Sequence, residues 1–134
     1  MTNRILVVED ETDFAELLQF RLRQLAYEVT VAASGLEALN QARRELPDLI
    51  VMDLLLPDLD GLSVCEIMRR QSSTRDIPVI VLTALSSEKT RELAQLAGAC
   101  AFFTKPVDFA ALCIQIETVL APPALQFGET HSDS

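Results

Sequence analysis

The sequence predicts an α/β fold: a doubly wound, five-stranded parallel sheet of (βα)5 type with helices on both faces. Three observations lead there. Strand-like and helix-like segments alternate five times along 134 residues, a length that suits one domain. The runs Ile5-Leu6-Val7-Val8, Leu49-Ile50-Val51-Met52 and Val79-Ile80-Val81-Leu82 are continuously apolar rather than alternating, the mark of strands covered on both faces. Each of these runs leads into acids or a hydroxyl, and in a parallel sheet such strand ends share one edge.

The first strand is expected over residues 4–9. Residues 12–26 form the first helix, with Phe14, Leu17, Leu18, Leu22 and Leu25 at helical spacing. Residues 28–32 are a short β-branched second strand. Ser34 and Glu37 make a capping box for a second helix that runs to about residue 45 and is stopped by Pro47. Residues 48–53 are the third strand, 54–61 a loop and 62–71 the third helix. The fourth strand covers 78–82 and the fourth helix 87–97, with Gly98 placed as its C-terminal stop. The fifth strand is 101–104. Asp108 caps a last helix whose apolar stripe is Phe109, Leu112, Ile116, Val119 and Leu120. With right-handed crossovers this pattern gives the flavodoxin-like strand order 2-1-3-4-5. The domain is expected over 1–121, with 122–134 a proline-initiated polar tail or linker stub.

Composition narrows the function. Eleven Lys and Arg against twenty Asp and Glu give a net charge of -9, which argues against direct binding to nucleic acid or to an anionic membrane surface. No apolar run approaches the roughly 20 residues of a membrane span, and no signal segment is evident, so the expected compartment is the cytoplasm. Cys65, Cys100 and Cys113 show no CxxC spacing and are expected to be reduced. The one histidine, His131, lies in the polar tail, so Ser-His and Cys-His schemes have no base in the folded part.

The chemistry therefore rests on the strand ends. In doubly wound sheets ligands bind at the carboxyl ends of the strands where the order reverses, here between the first and third strands. Those two end in Glu9-Asp10 and Asp53. Three adjacent carboxylates repel one another and any phosphate, and a hard divalent cation resolves both repulsions. Thr83 and Lys105 end the neighbouring strands and can answer a phosphoryl group.

Glu9-Asp10, the lone Asp53, Pro57 with Asp60-Gly61, Thr83-Ala84 and Lys105-Pro106 occur in an order and spacing that resembles the response-regulator receiver domain of two-component signalling. The likeness runs from residue 4 to about 121. It implies that Asp53 is the phosphoacceptor, taking a phosphoryl group from the phosphohistidine of a histidine kinase or phosphotransfer protein. It implies Mg2+, with Mn2+ as a substitute, on Glu9, Asp10, Asp53 and the backbone carbonyl of Leu55. Thr83, Ala84 and Lys105 would bind the phosphoryl group, Phe102 would be the rotating switch aromatic, and the Lys105-Pro106 peptide would be cis. Gly61 is expected to supply a backbone shape that other residues resist.

Two departures from the family pattern stand out. Leu55 and Leu85 occupy positions that are often polar, which predicts slow loss of the phosphoryl group. Cys100-Ala101 replaces the usual acidic pair before the aromatic, and Gln115 stands where arginine is common. A dimer through the fourth helix, fifth strand and fifth helix would then be more apolar than usual. The expected output is control of a downstream protein or a C-terminal output domain, and the protein is not an enzyme beyond its own phosphoryl chemistry. A magnesium phosphohydrolase with Asp53 as nucleophile would need a second aspartate where Leu55 stands. A flavin site would need a hydroxyl- and glycine-rich loop where Glu9-Asp10-Glu11 stands.

Overall fold

The structure is a computed structural model and describes residues 2–122; the tail beyond, including His131, lies outside the described residues. Five parallel strands alternate with five helices: β1 Arg4–Val8, α1 Thr12–Gln24, β2 Glu28–Ala32, α2 Gly35–Glu45, β3 Leu49–Met52, α3 Gly61–Arg69, β4 Val79–Thr83, α4 Glu88–Leu96, β5 Ala101–Thr104 and α5 Phe109–Leu120. The sheet order is β2-β1-β3-β4-β5, as the sequence predicts.

The sheet divides the core in two. Ile5, Val7, Leu49, Val51, Ile80 and Leu82 face Leu18 and Leu22 of α1 and Leu112 and Ile116 of α5. Leu6, Val8, Ile50, Met52, Val79 and Val81 face α2, α3 and α4 through Leu39, Val64, Met68 and Ala94. Every residue of β1 from Ile5 onward, and all of β3 and β4, is buried, which is why these runs show no polar alternation.

Helix ends differ from the predicted ones by at most two residues, for local reasons. Helix α1 stops at Gln24 because Ala26 turns to φ 70°, in the left-handed region. Helix α3 begins at Gly61, one residue early, because Asp60 caps it by accepting from the Ser63 N–H at 2.9 Å. Gly98, at φ 107°, ends α4 as expected.

The loop between β3 and α3 is held by a contact the sequence pattern does not announce. The Asp58 carboxylate accepts from the N–H groups of Gly35 (2.8 Å) and Leu36 (3.2 Å), the open first turn of α2. Gly35 lets the loop come this close: a Cβ there would stand 2.2 Å from the Leu59 carbonyl oxygen. Partial loss of hydration, the largest single influence on the Asp58 carboxyl, pushes its pKa up. Hydrogen bonds from Gly35, Leu59, Leu36 and its own backbone together outweigh it and hold the group below 3.8.

A depressed carboxyl pKa contributes stability that is complete above the unfolded value and is lost as pH falls through the folded one. Asp58→Ala is therefore expected to lower the melting temperature at neutral pH. The gap to wild type should narrow as the pH drops below the usual carboxylate range, in thermal melts of the two proteins across that range.

Candidate functional site at the strand ends

Lys105 follows β5 and sends its ammonium back across the carboxyl edge of the sheet. Its Nζ lies 2.7 Å from Glu9 Oε1 and 3.0 Å from Asp53 Oδ2. Glu9 follows β1 and Asp53 follows β3, and both are buried, with side chains 3% and 6% exposed. The edge geometry is kept by backbone bonds that continue the ladders: Glu9 N–H to the Ala32 carbonyl, Asp53 N–H to that of Val8, and Lys105 N–H to that of Thr83, at 3.0, 3.0 and 2.8 Å. Glu9 Oε2 accepts from the Glu11 N–H and Asp53 Oδ1 from the Leu55 N–H. The two carboxylates thus hold an ammonium between them and use their other oxygens on the loops that follow.

Burial is the largest influence on Glu9 and pushes its pKa up; the bonds from Lys105 and the Glu11 N–H offset this only in part, and the nearby Asp53 adds to it. For Lys105 burial, again the largest single influence, pulls the pKa down. The hydrogen bonds and charges of Glu9 and Asp53 together exceed it, so the ammonium is held above its ordinary value. The third neighbour of the ammonium is the Phe14 ring of α1, 4.5 Å from Nζ to centroid. Helical spacing assigns Phe14 only to the core face of α1; its place under Lys105 depends on a contact that no local pattern encodes.

The three expected carboxylates do not form one cluster. Glu9 and Asp53 converge, whereas Asp10 is exposed, and among the described residues no three acidic, histidine or cysteine side chains stand close enough to share a metal ion. Glu9 is buried at the sheet edge, whereas Asp10, in a bend one residue on, lies at the surface. The donor chemistry still fits a hard divalent ion, since Glu9 and Asp53 offer buried carboxylate oxygens.

Thr83 is fully buried at the end of β4, and its Oγ1 accepts weakly from the Leu85 N–H at 3.4 Å. Ala84 is exposed. Leu55 and Leu85 are 51% and 38% exposed on the loops after β3 and β4. Phe102 is half-buried against the α4 side of the core, and the Lys105-Pro106 peptide is cis.

Gly61 corrects an expectation. It does not lie in the left-handed region; among the described glycines only Gly98 does. Its role is close approach: a Cβ would stand 2.6 Å from the Asp53 carbonyl oxygen and 2.8 Å from the Leu54 Cα.

The family model of the response regulator receiver domain matches residues 5–117. The chain belongs to this family. It is 39% identical over 120 residues to the alkaline phosphatase synthesis transcriptional regulatory protein PhoP of Bacillus subtilis, covering 90% of this chain and 49% of that one. The chain spans between about a quarter and a half of the length of the curated relatives it matches. Among solved structures, a putative response regulator from Chloroflexus aurantiacus J-10-fl superposes with a TM-score of 0.86 at 35% identity, over 91% of this chain and 100% of the other. The receiver domain of sensor histidine kinase PA1611 from Pseudomonas aeruginosa, which has a magnesium ion coordinated in its active site cleft, superposes at 0.84 with 34% identity, over 91% and 100% of the two chains. As a receiver domain of two-component response regulators, this chain belongs to phosphorylation-dependent signalling rather than to enzymes of the ordinary kind. Among the described residues no helix is long and apolar enough to cross a membrane.

The close approach at Gly61 makes a direct prediction. Gly61→Ala should destabilise the domain by about 1–3 kcal/mol, the usual cost of forcing a methyl into a packed site, read from urea unfolding midpoints at unchanged slope. A midpoint equal to wild type would mean that the β3–α3 loop yields freely.

Proposed function

We propose that this receiver is a switch that accepts a phosphoryl group on Asp53, from the phosphohistidine of a histidine kinase or phosphotransfer protein. The observation that carries the reading is the Lys105 ammonium held jointly by Asp53 and Glu9 at the switch point of the sheet. In the transfer a carboxylate oxygen of Asp53 attacks phosphorus, the phosphorus–nitrogen bond breaks and the imidazole leaves with its electron pair. Asp53 is positioned for this by the Leu55 N–H on its other oxygen. The incoming charge draws the ammonium of Lys105 from Glu9 toward the phosphoryl oxygens, at a distance set by a short pivot of one side chain. Thr83, freed from its weak bond to Leu85, turns its hydroxyl to a second oxygen.

Glu9, Asp10, Asp53 and the Leu55 carbonyl would hold Mg2+, with Mn2+ as a substitute, which supplies charge neutralisation when bound. The space left by Thr83 is filled by inward rotation of Phe102, which changes the face formed by α4, β5 and α5. That face carries Leu93, Leu96 and Ile114 exposed, and Cys100-Ala101 in place of acids, which suits an apolar contact with a downstream protein, an attached output domain or a second copy. The net charge of -9 leaves direct nucleic-acid contact to other parts of such a protein, and the cytoplasm is the expected compartment. Leu55 and Leu85 flank the phosphoryl position with apolar bulk and offer attacking water no hydrogen bond.

Intact mass measured with Mg2+ and acetyl phosphate tests the acceptor. Wild type should gain a single phosphoryl group in a magnesium-dependent manner and Asp53→Ala none; an equal gain in the variant would move the acceptor elsewhere. For the phosphorylated protein, Leu55→Asn and Leu85→Glu should each hasten phosphoryl loss severalfold in a chase after donor removal. Unchanged decay in both would remove the leucines from the lifetime.

A further inference from the structure

Arg91 stands exposed on α4. Among the described residues it forms no ion pair, and Cys100 and Ala101, at the start of the strand that follows, carry no charge. Its guanidinium instead lies over the ring of Phe102, with Cζ 4.8 Å from the centroid. Phe102 pairs with Val81 in the sheet and is half-buried against the core cluster that includes Ala94 of the same helix. One edge of the ring is therefore fixed by packing and the solvent side is covered by a cation.

We propose that Arg91 is a positioning residue that latches Phe102 in its outward orientation and so sets how readily the receiver enters its phosphorylated form. The proposal rests on the reading of Phe102 as the rotating aromatic. Inward rotation withdraws the ring from the guanidinium, so the cation–π contact exists in one state only. An interaction made in one state shifts the equilibrium toward that state by its full free energy. A ligand that selects the other state then binds with an apparent affinity reduced in proportion to the competent fraction. The Glu88 and Glu92 carboxylates flank Arg91 on α4 but make no ion pair with it, so the ring is the partner that remains.

The test uses beryllofluoride with Mg2+ as a phosphoryl mimic, titrated into the protein while the Phe102 ring resonances are followed by NMR. Arg91→Gln should tighten the apparent affinity about two- to fivefold, the range expected for an exposed cation–π contact. Arg91→Lys, which keeps a cation, should recover most of the wild-type value. In a Phe102→Leu background, Arg91→Gln should have no effect. An unchanged affinity in Arg91→Gln, or an equal gain in the Phe102→Leu background, would overturn the latch while leaving the switch intact. Saturating mimic that leaves the Phe102 resonances unmoved would overturn the rotating-aromatic reading and the latch with it. Arg91 is exposed, so Arg91→Gln should lower the melting temperature by no more than the few degrees that one exposed cation–π contact supplies, separating a shifted equilibrium from a loosened fold.

Discussion

The ammonium of Lys105 is the contact on which the carboxyl edge depends. It ties the ends of three strands, β1, β3 and β5, through residues 96 and 52 positions away in the chain. Removing one partner of a buried charge pair is far more damaging than never having had the pair, because the remaining charge stays desolvated. Here two carboxylates share one ammonium, which offsets the repulsion between acids placed together at a sheet end. The same arrangement is poised for exchange. Any incoming group that brings its own charge changes which of the three partners is best satisfied.

The surroundings hold that cluster from several sides. Phe14 supports the ammonium from α1. Gly61 lets α3 begin against the Asp53 carbonyl, and Asp58 anchors the intervening loop to the first turn of α2. The backbone around Asp53 is thus fixed by contacts to two helices before any ligand arrives. A carboxylate held in this way loses little further entropy on meeting a ligand. The exposed and weakly held parts are elsewhere: the Asp10 side chain, the loop after β4, and the Phe102 ring with its arginine cover.

Much of this was legible in the chain. The strand order followed from continuous apolar runs separated by helical spacing, and Asp53, Glu9 and Lys105 were legible because each directly follows such a run. What was not legible depended on contacts between distant segments. The helical spacing of Phe14 is satisfied by core packing alone, so nothing local reveals the ammonium above it. Asp58 reads as a turn residue until α2 is seen to open toward it. Gly61 was expected to serve by its backbone conformation and instead serves by lacking a side chain, a distinction that only the neighbouring strand end can make. Asp10 was grouped with Glu9 because they are adjacent, yet the chain bends after Glu9 and leaves Asp10 at the surface.

The bond from the Lys105 N–H to the Thr83 carbonyl has a further consequence. It locks the terminal peptides of β4 and β5 together at 2.8 Å, while the Thr83 hydroxyl is held only at 3.4 Å. Motion at this corner is thereby partitioned between a stiff main chain and loosely held rotors. In the proposed switch, a change at the strand edge would reach the α4 surface through side-chain torsions, with the sheet acting as a rigid chassis. Two functional states of such a molecule would look nearly alike as Cα traces and differ in the texture of one face, the layer that a partner protein touches.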